Sequence, residues 1–397
     1  MRSNYKPIGD FIELVDERNK KLEIDLLLGL SISKEFIPSV ANTVGANMAN
    51  YKIIRRGQFA CSIMQVRRDK KMPVALLRDF DEAIISQAYP VFKIKDENVL
   101  LPEYLMMWFS RSEFDRHACF LAVGGVRGSL EWEDFLEMEL PVPSIEKQRA
   151  IVKEYNTVVN RIKLNEQLNQ KLEETAQALY KHWFVDFEFP NEEGNPYKSS
   201  DGKMVYNEGL EKEIPVGWKF NTLESISSVK AGGDRPKEFS EFKTGEFQIP
   251  IYSNSTDNEG LYGFTTKAKT TEKSITVSAR GAIIGYTVLR LSPFVPIVRL
   301  IVVTPLTSQL TNYLFETIKS FKYDESGSAQ GQLTAPEICL KKVINPECNV
   351  LKRFQDLTDK IYGRISLNKA ANESLERLVS LILSKMTQVE EERVLTN

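Results

Sequence analysis

Apolar residues are spaced in two different ways along this chain, and the spacing divides it. From Ser144 to about Phe184 there is no glycine or proline. Within that stretch Ile151, Tyr155, Val158 and Ile162 recur at steps of four and three, and Leu168, Leu172, Thr175 and Leu179 do the same after a phase slip at Asn165. A second stretch opens after Pro346 and carries Phe354, Ile361, Ile365, Asn368, Leu375 and Ile382 at the equivalent positions. Such steps place apolar side chains along one helix face. The pattern predicts two long helices with coiled-coil seams, the first a rod of about 60 Å at ~1.5 Å per residue. Ser144, following Pro143, is expected to cap it. A lone helix with one apolar stripe is not stable in water, so the two are expected to pack antiparallel and to separate two globular domains.

Elsewhere the apolar runs are short and β-branched. Residues 50–54, 59–64, 89–94, 274–278 and 283–289 read as strands. Residues 102–109, opened by Pro102, and 309–321 read as helices. The stretch 187–217 is acidic and broken by Gly194, Pro196, Gly202, Gly209 and Pro215, so it reads as a connector. The expected fold class is α+β. The expected organisation is a first globular domain over 1–143, a helical spacer over 144–186, the connector over 187–217, a second globular domain over 218–345, a second spacer over 346–388 and a tail over 389–397.

A shift of 203 positions lays Gly124 to about Thr175 over Gly327 to Leu378 without a gap. The coincidences include Gly128/Gly331, Leu130/Leu333, Pro143/Pro346, Arg161/Arg364, Leu164/Leu367 and Asn165/Asn368. A repeat of this length implies two copies of one unit, each with its own ligand-facing surface. Two such copies can sit about a pseudo-two-fold axis, which suits two separated patches of one duplex. Asn165 and Asn368 occupy matching places on the seams. They are expected to face the opposite helix and fix its register.

Charge then changes the picture. The formal net charge is −2 over 397 residues, which alone argues against a polyanionic ligand. The distribution argues for one. Lys52 to Lys71 holds Lys52, Arg55, Arg56, Arg67, Arg68, Lys70 and Lys71 against Asp69. Leu261 to Val303 holds Lys267, Lys269, Lys273, Arg280, Arg290 and Arg299 against Glu272. The acids gather at Glu131, Glu133, Asp134, Glu137 and Glu139 and along the connector. Affinity for a polyanion follows the local patch rather than the total. The N-terminus has no apolar signal core and no run approaches the ~18–20 apolar residues of a span, so a cytoplasmic protein without membrane contact is expected.

Catalytic constellations are missing from the sequence. There is no GxxxxGK[ST] phosphate loop, GxSxG elbow or HExxH pair. His117 and His182 stand far apart, and Cys61, Cys119, Cys339 and Cys348 form no CxxC pair, which points away from a metal site. The glycines of Gly124–Gly128 have the wrong spacing for dinucleotide binding. What is present suits recognition. Arg280–Gly281 lies between two strand-like runs, and Arg127–Gly128 is expected at a comparable spot in the first domain, with Gln330 as its repeat counterpart. Arginine reads guanine, and glutamine or asparagine reads adenine. Ser253 and Asn254 add short polar side chains of the kind that touch phosphates and bases. The candidate DNA-binding residues are therefore Arg55, Arg56, Arg67, Arg68, Lys70, Lys71 and Arg127 in the first domain. In the second they are Ser253, Asn254, Lys267, Lys269, Arg280, Arg299 and Gln330.

Specific runs carry a family resemblance. Arg127–Leu130, Leu140–Gln148 and the helix ending in Ala178–Phe187 resemble the central region of type I restriction-modification specificity (S) subunits. Ile214–Trp218 is similar to the family's entry into its second target-recognition domain, and Ser278–Gly285 to a core of such domains. The start of the second long helix, Asn345–Leu351, departs from the family pattern. The resemblance implies a non-catalytic subunit whose two domains read a bipartite, asymmetric DNA target. It also implies helical spacers that dock two modification (methyltransferase) subunits, which methylate adenine at N6 with S-adenosylmethionine. Restriction (motor and nuclease) subunits using ATP and magnesium would join for cleavage, and no cofactor is expected on this chain. A protein-only coiled-coil adaptor is the alternative from another class, and a self-contained methyltransferase is a third. Loss of DNA binding with salt separates the first two.

Overall fold

The computed structural model describes residues 5–39, 47–124, 128–323 and 332–387. The chain divides into two compact units, Met1–Glu166 with Lys369–Asn397, and Gln167–Asn368.

In the first unit the short apolar runs become strands β1 (Tyr5–Pro7), β2 (Ile12–Val15), β3 (Leu27–Leu30), β4 (Phe36–Pro38), β5 (Lys52–Arg55), β6 (Phe59–Cys61), β7 (Val74–Leu76), β8 (Glu82–Ile85), β9 (Val91–Ile94) and β10 (Glu139–Pro141). One sheet has the order β2-β9-β6-β7 and another β4-β3-β8-β5, with β1 paired to β10. Only β3 and β8 pair in parallel among these strands. The helices are α1 (Val66–Asp69), α2 (Pro102–Phe109), α3 (Ser112–Leu121), α4 (Trp132–Glu137) and the long α5 (Ile145–Tyr180). Pro102 opens α2 as its sequence predicts, where a missing N–H is tolerated. An aromatic core fixes these helices on the first sheet. Phe59 stacks on Phe92 at 5.0 Å, and Phe109 meets Phe92 edge-on at 6.4 Å.

The second unit contains β11 (Met204–Asn207), β12 (Lys212–Pro215), β13 (Lys219–Thr222), β14 (Ser227–Ala231), β15 (Ile249–Tyr252), β16 (Leu261–Thr265), β17 (Ser274–Ser278), β18 (Thr287–Arg290), β19 (Val295–Pro296), β20 (Leu300–Pro305) and β21 (Lys342–Asn345). Its helices are α6 (Thr311–Lys319), α7 (Ala335–Cys339) and α8 (Cys348–Lys385). The sheet order β14-β20-β17-β18 repeats β2-β9-β6-β7, and β16-β15-β19 repeats β4-β3-β8. β15 and β19 run parallel, as β3 and β8 do, and β13 pairs with β21 as β1 does with β10. β5 has no counterpart among the described strands. The segment expected as a polar connector is folded into the β11–β12 hairpin, because its few aromatics anchor it. Phe189 stacks on Trp218 at 4.9 Å and on Tyr197 at 4.5 Å.

Each unit ties its domain to a long helix in the same way. The Tyr104 hydroxyl donates to Pro141 O at 3.2 Å, and that of Tyr313 donates to Ile344 O. Gln148 Oε1 accepts from Leu101 N at 2.9 Å at the start of α2, and Gln355 Oε1 from Asn312 N at 3.1 Å at the start of α6. The expected Ser144 cap is present, with Oγ accepting from Lys147 N at 3.4 Å. In the first unit Val158 of α5 shares a core with Ile382 and Met386 at the end of the chain's last helix, while Asn165 bonds Asn372 at 2.7 Å. In the second, Trp183 lies 5.8 Å from Phe354, and Asn368 bonds Asn169 at 2.8 Å. The two helices therefore run in opposite directions within each unit.

Candidate nucleic-acid interface

Interior strands β6 and β17 end in the same kind of turn. Leu130 N donates to Ile63 O at 2.9 Å, and its repeat partner Leu333 N donates to Ala279 O at 2.9 Å. Two residues beyond each acceptor the backbone becomes left-handed, at Gln65 (φ 62°) and Gly281 (φ 79°). This register makes Met64 the counterpart of Arg280, where the sequence suggests Arg127. Arg127 and Gln330 themselves lie outside the described residues.

In the second unit the turn is clamped. Asn254, in the loop after β15, accepts at Oδ1 from Ala279 N (2.9 Å) and Arg280 N (3.2 Å), and its Nδ2 donates to Arg280 O (3.0 Å). Ala279 N also reaches Arg299 O at 3.0 Å, so the structure brings Asn254, Arg280 and Arg299 together. The Arg280 guanidinium takes part in no hydrogen bond or ion pair among the described residues. Arg299 is exposed at φ 69°, and Lys267 is exposed. Lys269 donates to Asp234 O at 3.3 Å. Ser253 is committed to its own loop, with N and Oγ on Gly260 O at 2.7 and 3.3 Å.

Arg290 belongs by sequence to the same basic stretch, yet it is buried. Its guanidinium lies 3.5 Å from the Tyr252 ring centroid, and donates to Thr276 Oγ1 (3.1 Å) and Glu259 O (2.6 Å). Burial holds its pKa below the ordinary value, against the pull of Tyr252 and Glu259. It serves as a fixed wall behind the turn.

In the first unit the cations follow the turn. Buried Val66 anchors α1, leaving Arg67, Arg68, Lys70 and Lys71 exposed. Arg67 N donates to Gly128 O at 3.2 Å and its Nη1 to Gly124 O at 3.2 Å. Gly128 eases this close approach, since a Cβ there would stand 3.1 Å from both the Arg67 Cβ and Val123 O. Arg68 forks onto Asp69 at 2.6 and 3.0 Å, and that hydrogen bonding holds the Asp69 carboxyl below its usual range. Behind the loop Asp115 accepts from Lys34 Nζ (2.7 Å) and Met72 N (3.1 Å). Burial keeps the Lys34 ammonium below its ordinary pKa although Asp115 opposes the shift.

Arg55 and Arg56 belong elsewhere. They sit at the end of edge strand β5 on the other sheet. Arg55 pairs with Glu17 at 2.7 Å and with Glu82, and Arg56 pairs with Asp81 at 2.8 Å. Their charge is already matched locally. Asn165 and Asn368 are both buried at 4% exposure, on the helix face that meets the other helix. Among the described residues no cluster of three or more His, Cys, Asp or Glu could hold a metal ion, and no helix is long and apolar enough to cross a membrane. Sequence reading missed the Asn254 clamp and the left-handed Gln65. The strand ends and the Leu130/Leu333 repeat were the signals that could have found them.

The family model described as the type I restriction modification DNA specificity domain matches residues 66–174 and 215–377. The type I restriction enzyme MjaIX specificity subunit of Methanocaldococcus jannaschii is 26% identical over 305 residues, covering 72% of this chain and 68% of that protein. The HindI specificity subunit of Haemophilus influenzae is 23% identical, covering 84% and 86%. The crystal structure of an S subunit from M. genitalium shares the fold at a TM-score of 0.58 and 16% identity, over 96% of this chain and 95% of that one. With two matched stretches spanning well over half its length, the chain belongs to the type I restriction-modification DNA specificity family.

Proposed function

We propose that this chain is the non-catalytic reader of a type I restriction-modification complex, and that each unit reads one half of a bipartite, asymmetric DNA target. The observation that carries this is the repeated domain connectivity, with cations placed at or just after the same left-handed turn: Arg280 in one unit, Arg67 to Lys71 in the other. Arg280 is the base reader of the second unit. An unpaired guanidinium on a fixed backbone suits bidentate contact with guanine. Arg299, Lys267, Lys70 and Lys71 supply phosphate contacts, which position the domain without reading sequence. The different residues at the two turns make the two halves of the target differ.

The long helices act as an antiparallel coiled-coil spacer related by a pseudo-two-fold axis, and dock two modification subunits. S-adenosylmethionine, ATP and magnesium belong to partner subunits. The asparagine pairs support the spacer reading, because a shift of 203 residues converts Asn165–Asn372 into Asn368–Asn169. Buried amides in a helical seam fix register at a cost in stability. Asn165 and Asn372 are bonded to each other in the seam, so replacing both, Asn165→Leu/Asn372→Leu, is expected to raise the melting temperature and to blur the spacing between the two target halves, whereas Asn165→Leu alone strips a buried carbonyl of its donor. Simple destabilisation of the double variant with unchanged spacing contradicts the register role. The whole reading is tested by titrating duplex DNA with the purified chain at rising salt. A steep linear fall of log affinity with log salt is expected, and flat, weak binding would sink it.

A further inference from the structure

We infer that Asn254 is a positioning residue that turns Arg280 from a mobile surface cation into a fixed reader. The inference rests on the proposal that Arg280 contacts a base.

Asn254 uses three of its four hydrogen-bonding positions on the chain itself. Its Oδ1 takes the N–H groups of Ala279 and Arg280, and its Nδ2 gives to the Arg280 carbonyl. The carboxamide thus meets both backbone groups of Arg280, as a neighbouring strand would. On the other side Arg280 forms an isolated antiparallel bridge with Gln332, and Ala279 is buried and held by Arg299 O. At the next residue, Gly281, a would-be Cβ meets nothing within 4 Å among the described residues, which leaves room beside the turn. Groups that recognise a base must be held within about 0.5 Å of the productive geometry. A long arginine side chain meets that tolerance only if its backbone does not move. Asn254 is suited to hold it and, being so engaged, is poorly suited to touch DNA itself.

Among its described residues the first unit has no such clamp. Ser31 N bonds Glu35 O as Ser253 N bonds Gly260 O, which makes exposed Ile32 the counterpart of Asn254 and Met64 the counterpart of Arg280. The amide and the arginine are present together or absent together.

The test uses the full chain produced with its modification subunits, with methylated adenines mapped across the host genome. Variants are Arg280→Ala, Asn254→Ala, Asn254→Asp and the Asn254→Ala/Arg280→Ala double. Arg280→Ala is expected to relax one base position in one half of the target, about 5–100-fold in discrimination. Asn254→Ala should relax that same position, leave the other half unchanged, and add nothing in the double variant. Asn254→Asp keeps the two acceptor contacts but loses the donor, so an intermediate relaxation is expected. If Arg280→Ala relaxes a position and Asn254→Ala relaxes none, or a different one, the inference is overturned while the Arg280 reading stands. If Arg280→Ala relaxes nothing, the reading itself fails and the inference with it. Should Asn254→Ala abolish all methylation, Asn254→Asp decides: the same relaxed position supports the inference, and an unaltered target refutes it.

Discussion

The two turns that follow β6 and β17 share a hydrogen-bond register and differ in almost every side chain. In the second unit a glycine takes the left-handed position and an asparagine clamps the preceding arginine. In the first, Gln65 takes that position, a methionine precedes it, and the cations come later on α1 and the loop behind it. The strands that carry the turns correspond in both units, with β5 the addition in the first, so what differs at the turns is chemistry carried on a shared framework. A fold used twice can address two dissimilar halves of one ligand only if the divergence sits at such points and leaves the strands alone.

The backbone difference can be tested directly. Gly281→Ala forces a Cβ into left-handed backbone and is expected to destabilise the second unit by about 1 kcal/mol. Among the described residues nothing lies within 4 Å of that Cβ, so the expected loss is conformational and not steric. Gln65→Gly at the matching position should be neutral or mildly stabilising, since it relieves the same strain. Differential scanning calorimetry of the full chain measures both, and equal losses would break the equivalence of the two turns.

A second contrast lies where each domain meets its long helix. Three residues after the paired tyrosines stand Met107 and Glu316, both 2% exposed. Glu316 accepts a hydrogen bond from the Tyr362 hydroxyl, and burial raises its carboxyl pKa above the ordinary value. A folded pKa above the unfolded one means that stability is present at low pH and is lost as pH rises through and past the carboxylate range. Glu316→Gln is therefore expected to raise the unfolding temperature of the second unit at neutral pH and not at about pH 4, below the ordinary glutamate value. A gain that is the same at both pH values would show that charge is not the cause.

The smallest effect is expected at Arg55 and Arg56. Both are matched by exposed carboxylates, and surface pairs of this kind contribute about 0–1 kcal/mol. Replacing either with alanine should leave the salt dependence of DNA binding nearly unchanged. Loss of Lys70 or Lys71 should lower its slope by about one each. A larger slope change at Arg55 than at Lys70 would place the first unit's DNA surface on the wrong sheet.

Much of the framework was legible in the sequence because it is local. A stretch without glycine or proline and with steps of three and four gave α5, and a β-branched run gave β17 at its observed limits. That Asn165 and Asn368 face the other long helix was legible because both fall on a seam, while their partners Asn372 and Asn169 were not. The candidate site was harder, since charge in a sequence does not reveal its partner. Glu17 and Glu82, which neutralise Arg55, are 38 and 27 residues away. Arg290 looks like its neighbours until Tyr252 is brought over it. Asn254 reads as a polar loop residue until a contact 25 residues on shows what it holds. The Met64–Arg280 correspondence was hidden because the two turns differ in length, so no ungapped alignment pairs them.

The central claim is that each unit reads its own half of the target through its own turn. It is tested most directly by mapping methylated adenines in cells that carry the full chain as wild type, as Arg67→Ala/Arg68→Ala and as Arg280→Ala. The account predicts that the two variants lose discrimination in different halves and that the spacing between halves stays as in the wild type. Relaxation of the same half by both variants, or of neither half by either, would contradict it.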